Sequence, residues 1–203
     1  MDPPGAVRSA AMRSRVDLLA VAAPDVVAAW RGINVGAFIS VRREVRRRAG
    51  VGSAELILPQ LAAVAEALAG GVAGLPARAF AMPGGEGDWN VAQAIGHTAS
   101  ARAGLVTAAS LAAGGRWPVD APVVVPGVPG VVGATREDLL RRLATSQRII
   151  ERGARVIAGH ELDACPLEHP LVGRLRCGEW LLFSGVHDLM HLEQLEALEA
   201  SLA

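Results

Sequence analysis

A chain of 203 residues with 20 basic and 20 acidic side chains has no net field with which to hold a polyanion, which argues against a nucleic-acid partner bound by a basic surface. Hydrophobic residues make up 51% of it, enough for one core without disulfides. Every basic side chain is arginine, and the two cysteines, Cys165 and Cys177, stand in no Cys-x-x-Cys spacing. They read as free thiols of a reducing, cytoplasmic compartment.

The first 57 residues read as an N-terminal extension, partly helical, ahead of a folded unit over residues 58–203. Residues 16–41 are apolar-rich but interrupted by Asp17, Pro24, Asp25, Arg31 and Asn34. No uninterrupted apolar run reaches the ~20 residues of a membrane span, so no membrane partner is expected. Met12 to Ala23 resembles a leader only faintly, because Asp17 sits inside its apolar part. Asp25 is placed to cap a helix running from Val26 towards Arg48. The basic end of that helix, Arg42 to Arg48, suits the negative end of the helix dipole and reads as a solvated face.

Three further helices follow. Pro59 is welcome at a first helical position, with Leu61, Val64, Ala65 and Leu68 behind it at helical spacing and Gly70-Gly71 as a stop. Residues 72–88, with Pro76, Pro83 and several glycines, read as loop. Asn90 and Gln93 form a capping-box pattern for a helix from Val91 to about Ala113, ended by Gly114-Gly115. His97 lies in its second turn, with Ala94, Ala101 and Gly104 on the same face. Residues 114–134 are rich in Val, Pro and Gly and predict a long irregular connection. Val123 to Val125 and Val131-Val132 are too short and Pro-broken to build a sheet. Thr135 and Asp138 then start a helix whose apolar positions include Leu139, Leu143, Ile149 and Val156, with Arg141, Arg142, Arg148, Arg152 and Arg155 outside. Residues 158–178 read as a second long loop carrying His160, Cys165, His169 and Cys177. Cys177, near a helix N-terminus, is a candidate reactive thiol.

The last helix carries His187 and His191, four residues apart and therefore on one face. Trp180, His187, His191, Leu195, Leu198 and Leu202 form one stripe, which directs both imidazoles inward. Buried imidazoles need hydrogen-bond partners or a metal. The architecture expected is all-α, a four-helix bundle with long crossover loops. In such a bundle His97 can meet the pair between facing helices, and three imidazoles leave a coordination position open, as in catalytic sites. His187-Asp188-x-x-His191 also reads as a variant of the H-E-x-x-H metallopeptidase motif, but Asp is a methylene shorter and no third ligand follows.

Several segments together resemble the DinB-like four-helix-bundle superfamily, which includes bacillithiol- and mycothiol-dependent enzymes. They are the Pro59-led helix, Trp89-Asn90-Val91-Ala92-Gln93-Ala94-Ile95-Gly96-His97, His169-Pro170-Leu171-Val172-Gly173, Glu179 to Phe183, and His187 to Leu195. Gln93 departs from the pattern, where relatives frequently carry an acidic residue. The resemblance implies a divalent metal, commonly zinc or nickel, held by His97, His187 and His191. With an open position such a metal can bind a thiol as thiolate, so the expected activity is that of a metal-dependent thiol transferase or related detoxification enzyme, with a small-molecule substrate and a low-molecular-weight thiol as co-reactant; a homodimer is the expected assembly. The alternatives are a non-catalytic bundle in which the metal ties helices together, and a metal-dependent hydrolase. No catalytic side chain can be named from the residues alone.

Overall fold

The computed structural model describes residues 14–33, 39–84 and 87–202. Three short helices come first: α1 (Arg15–Leu19), α2 (Pro24–Arg31) and α3 (Ile39–Arg46). Four long helices follow: α4 (Ser53–Gly74), α5 (Val91–Ala113), α6 (Arg136–Ile157) and α7 (Cys177–Leu202). Between α6 and α7 lies an antiparallel hairpin, β1 (Ala164–His169) and β2 (Gly173–Arg176). The long helices pack mainly in the cyclic order α4, α6, α5, α7, and their apolar faces share one core.

The starts of α5 and α6 follow the capping patterns. The Asn90 side chain accepts from the Gln93 N–H while the Gln93 side chain accepts from the Asn90 N–H. Thr135 and Asp138 exchange the same pair of bonds. Two orphan N–H groups are satisfied at each helix start.

The helix expected to begin at Pro59 begins earlier, and Pro59 lies inside it. The Gly50-Val51-Gly52 turn, with Gly52 at φ 74°, sets the start instead. The Ala54 N–H of the first turn donates to the buried Glu161 carboxylate, 3.3 Å away. Pro59 removes one backbone donor, but packing against α6 and α7 carries the helix through it and past Gly70-Gly71. By length and composition α4 could cross a membrane; its Ile57, Leu61, Val64, Leu68 and Val72 belong to the common core.

The single helix expected from Val26 to Arg48 is two helices, α2 and α3; residues 34–38 between them, and Met12-Arg13 of the leader-like stretch, lie outside the described residues. Asp25 is not the cap: Pro24 occupies the first helical position. Asp25 instead brackets Gln60 of α4, its N–H donating to Gln60 Oε1 and its carboxylate accepting from Gln60 Nε2, both at 2.8 Å. The arginine run is also more than a solvated face. Arg46 donates to the buried Glu179 of α7 at 2.7 Å, and Arg43 and Arg48 pair with the buried Glu44. Trp30 Nε1 donates to Glu193, 2.7 Å away, and Arg15 pairs with Glu199.

These contacts lay the short helices along α7. As a result α7 is buried without a break from Cys177 to Val186, not along a stripe alone. Gly185 shows how close the packing is. A Cβ there would stand 2.5 Å from Leu61 Cδ2 and 2.9 Å from Val26 Cγ1.

The hairpin corrects the expectation of an unbroken loop over 158–178. Gly173, at φ 72°, supplies the turn. Val123 to Val125 do not form a strand of their own, yet they dock on β1: the Val125 N–H donates to the Glu168 carbonyl at 2.9 Å and the Glu168 N–H to the Val123 carbonyl at 2.6 Å. From there the chain crosses α5, where the Gly130 N–H donates to the Gln93 carbonyl at 2.9 Å. A Cβ on Gly96 would be 2.9 Å from Gly130 Cα, so the crossing needs a glycine on both sides.

Candidate metal centre

His97 projects from the second turn of α5, and His187 and His191 project from adjacent turns of α7. The ring centroids are 5.5 Å apart for His97 and His187, 5.8 Å for His97 and His191, and 4.6 Å for His187 and His191. One nitrogen from each ring falls within 4.8 Å of the others. The sequence brings two of these rings together through helix periodicity; the third arrives through the packing of α5 on α7.

Each ring is held differently. His97 Nδ1 lies 2.7 Å from the Val128 carbonyl oxygen. A carbonyl only accepts, so Nδ1 donates and the lone pair of the neutral ring sits on Nε2. The Trp89 ring lies against it at 5.0 Å. His191 Nδ1 lies 2.8 Å from Gln194 Oε1, which places its lone pair on Nε2 by the same argument. His187 Nδ1 is buried with no hydrogen-bond partner among the described residues. Burial, and then the neighbouring His191 and His97, hold the His187 ring well below its usual value of 6.5, so it is neutral at physiological pH.

This donor set could hold a divalent cation. It offers one imidazole nitrogen from each of three histidines on two helices, with orienting bonds on the second nitrogen of two rings. Buried nitrogens of His187 and His191 carry a polar cost that coordination would reduce.

Behind the rings, Asp188 is fully buried and paired at 2.7 Å with Arg102 of α5. Burial pushes the Asp188 carboxyl up to about 6, against the pull of Arg102. Being engaged by Arg102, it is poorly placed to act as the water-activating base of a metallopeptidase. Arg102 itself carries no sequence signal beyond being an arginine among Ala, Gly and Leu. His160 pairs with Asp163 at the surface, and His169 packs edge-on against Phe183 at 5.6 Å. Neither belongs to the cluster. Cys165 and Cys177 are buried, free, and outside it as well. Burial pushes the Cys177 thiol up to about 12, so the helix start does not activate it.

Two cavities border the cluster. One of about 260 Å³ reaches His191 and Gln194. The other, about 550 Å³, reaches His97 beneath the 114–134 segment.

A predominantly helical protein with three histidines converging between two helices is a recognisable class. The sequence profile of the DinB superfamily matches residues 60–195, a span that contains all three. The chain belongs to the DinB superfamily. Comparison with curated proteins and with solved structures returned no match.

Proposed function

We propose that α4 to α7 form the four-helix bundle of the superfamily, that His97, His187 and His191 hold one divalent metal ion, and that the protein is an enzyme transferring a low-molecular-weight thiol to a small electrophile. The observation that supports this is the convergence of three imidazole nitrogens within 4.8 Å, beside cavities with room for reactants. Three protein ligands leave a position for an exchangeable group. Bound there, the cation supplies Lewis acidity, which favours the thiolate form of a thiol near neutral pH.

The chain's own part is to hold and orient. The Val128 carbonyl and the Gln194 amide set the tautomers of His97 and His191. Burial keeps His187 neutral, so no proton has to leave it before it coordinates. Arg102 keeps Asp188 engaged behind the rings, which supports reading the centre as all-imidazole and assigns no side chain as general base.

Elemental analysis of the purified protein tests the centre. Stoichiometric zinc or nickel is expected in the wild type, with most of it lost in His97→Ala, His187→Ala and His191→Ala. Full metal content in all three variants would overturn the assignment. A conjugation assay with a chromogenic electrophile then tests the activity: product should require both metal and added thiol. A large fall in melting temperature on chelation, with no turnover for any thiol, would assign the metal a structural role. Turnover without thiol would make the protein a hydrolase.

A further inference from the structure

We infer that the cavity beneath the 114–134 segment is the binding site for the second reactant, and that this reactant is an uncharged, largely apolar small molecule. The inference rests on the reading of the three histidines as the reacting centre.

The floor of the cavity is one face of α5. His97, Ala101, Gly104, Ala108 and Leu111 all line it, at spacings of four and three that stack residues on one side of a helix. The small residues in the middle hollow this face, and His97 stands at its head. The roof is the 114–134 segment, contributing Trp117, Val125 and Val128, and β1 contributes Leu167.

At about 550 Å³, the volume falls in the range of small-molecule pockets, roughly 300–1,000 Å³. No aspartate, glutamate or arginine lines it; Ser100, Thr107 and His97 are its polar side chains. An ionic ligand would lose its hydration with no charged side chain in the lining to replace it. An apolar one would gain from burial against tryptophan, leucine and valine.

The roof also argues for a small molecule over a protein partner. It is fastened on one side by the bonds between Val125, Val123 and Glu168, and on the other by the Gly130–Gln93 bond. A docking groove for a second chain would gain nothing from such a cover. The fastening near His97 is direct, since the Val128 carbonyl that bonds its ring belongs to the roof. A molecule in the cavity therefore lies against a ring of the three-histidine cluster.

Gly104 provides the test. A Cβ there meets nothing within 4 Å, so Gly104→Phe fills the cavity without entering the core. Replacing glycine within a helix also favours the helix. The probe is N-phenyl-1-naphthylamine, which is uncharged, set against its sulfonated analogue 8-anilinonaphthalene-1-sulfonate. Both are titrated by fluorescence on metal-loaded and metal-free protein, with sedimentation of the same samples.

Saturable binding of the neutral probe is expected. It should be about tenfold weaker or worse in Gly104→Phe, with a similar penalty for the sulfonate on the wild type. Ala108→Trp serves as a second filling variant if Gly104→Phe fails to fold. Equal binding by the folded variants, or a preference for the sulfonate, would overturn the inference. So would self-association of the wild type that Gly104→Phe abolishes, which would assign the cavity to a second copy of the chain. Metal retained without probe binding defeats the inference and spares the metal centre. Probe binding in the expected pattern, on protein whose histidines retain no metal, upholds the cavity as a ligand site and defeats the thiol-transfer reading.

Discussion

Arg102 Nε lies 2.7 Å from Asp188 Oδ2, and neither side chain has any exposed surface. The pair joins α5 to α7 directly behind the histidines, since Asp188 follows His187 in the chain. The same guanidinium donates to Ser146 Oγ at 3.1 Å and to Gln147 Oε1 at 3.0 Å on α6. One cation thus ties three helices at the level of the candidate centre.

Removing one partner of this pair should be costly, because it strands the other charge without water. Arg102→Met should destabilise the protein by about 3–5 kcal/mol. Replacing both groups, as Arg102→Met with Asp188→Leu, should restore most of that loss, because two apolar side chains of similar volume leave no buried charge. Urea unfolding of the two variants and the wild type measures this. A loss of under about 1 kcal/mol for Arg102→Met would mean that the pair contributes little to the fold.

The cysteines offer a pH-dependent reading of burial. Cys177 keeps its proton to about 12, against an ordinary 9.0, because it is buried; Cys165 is shifted upward for the same reason. Neither should react with iodoacetamide at pH 8 in the folded protein, and both should react in urea. The sign for stability follows from proton counts. Between pH 9.0 and about 12 the unfolded thiol is ionised while the folded one is not, so the folded state binds more protons and stability falls as pH rises. Below pH 9.0 the contribution is whole. Cys177→Ala should flatten the alkaline loss, and an unchanged slope would place the sensitivity elsewhere.

What the sequence disclosed, and what it withheld, divides along local and long-range lines. The starts of α5 and α6 were legible because Asn90 with Gln93, and Thr135 with Asp138, satisfy their own helix ends within four residues. The spacing of His187 and His191 was legible for the same reason. The hairpin was not: Pro166 and Pro170 disguise its strands, and β1 owes its second neighbour to Val123–Val125, some forty residues earlier. The all-round burial of α7 from Cys177 to Val186 was hidden because α1 to α3 lie along the helix, through pairs such as Arg46 with Glu179. Arg102 looked like any helix arginine until Asp188 stood opposite it. His97 joins the cluster only through tertiary packing, which is why the family resemblance, and not spacing, implied it.

Gly185 in the middle of α7 lowers helix propensity by about 1 kcal/mol relative to alanine, so its presence needs a packing reason. Leu61 and Val26 supply it, since a methyl group there would press into both. Overpacking of a closed core typically costs 1–3 kcal/mol, which exceeds the propensity gain. Gly185→Ala should therefore lower stability by about 1 kcal/mol, and Gly185→Val by more. Denaturant melts decide the matter; a more stable alanine variant would show that α2 and α4 can shift aside.

The crossing at Gly96 and Gly130 links the roof segment to the candidate centre. A Cβ on Gly130 would stand 2.6 Å from the Gln93 carbonyl oxygen and 2.7 Å from Gly96 Cα, both of them backbone atoms that cannot swing away. Gly130→Ala should lift the segment from α5, and with it the Val128 carbonyl that bonds His97 Nδ1. Partners of this kind typically alter metal affinity by 10–100-fold, so a fall of about tenfold in a zinc competition assay is expected. Loosening should also speed tryptic cleavage after Arg116, at the base of the same segment. Unchanged cleavage together with unchanged affinity would show that the bond to Val128 neither holds the roof down nor orients the ring.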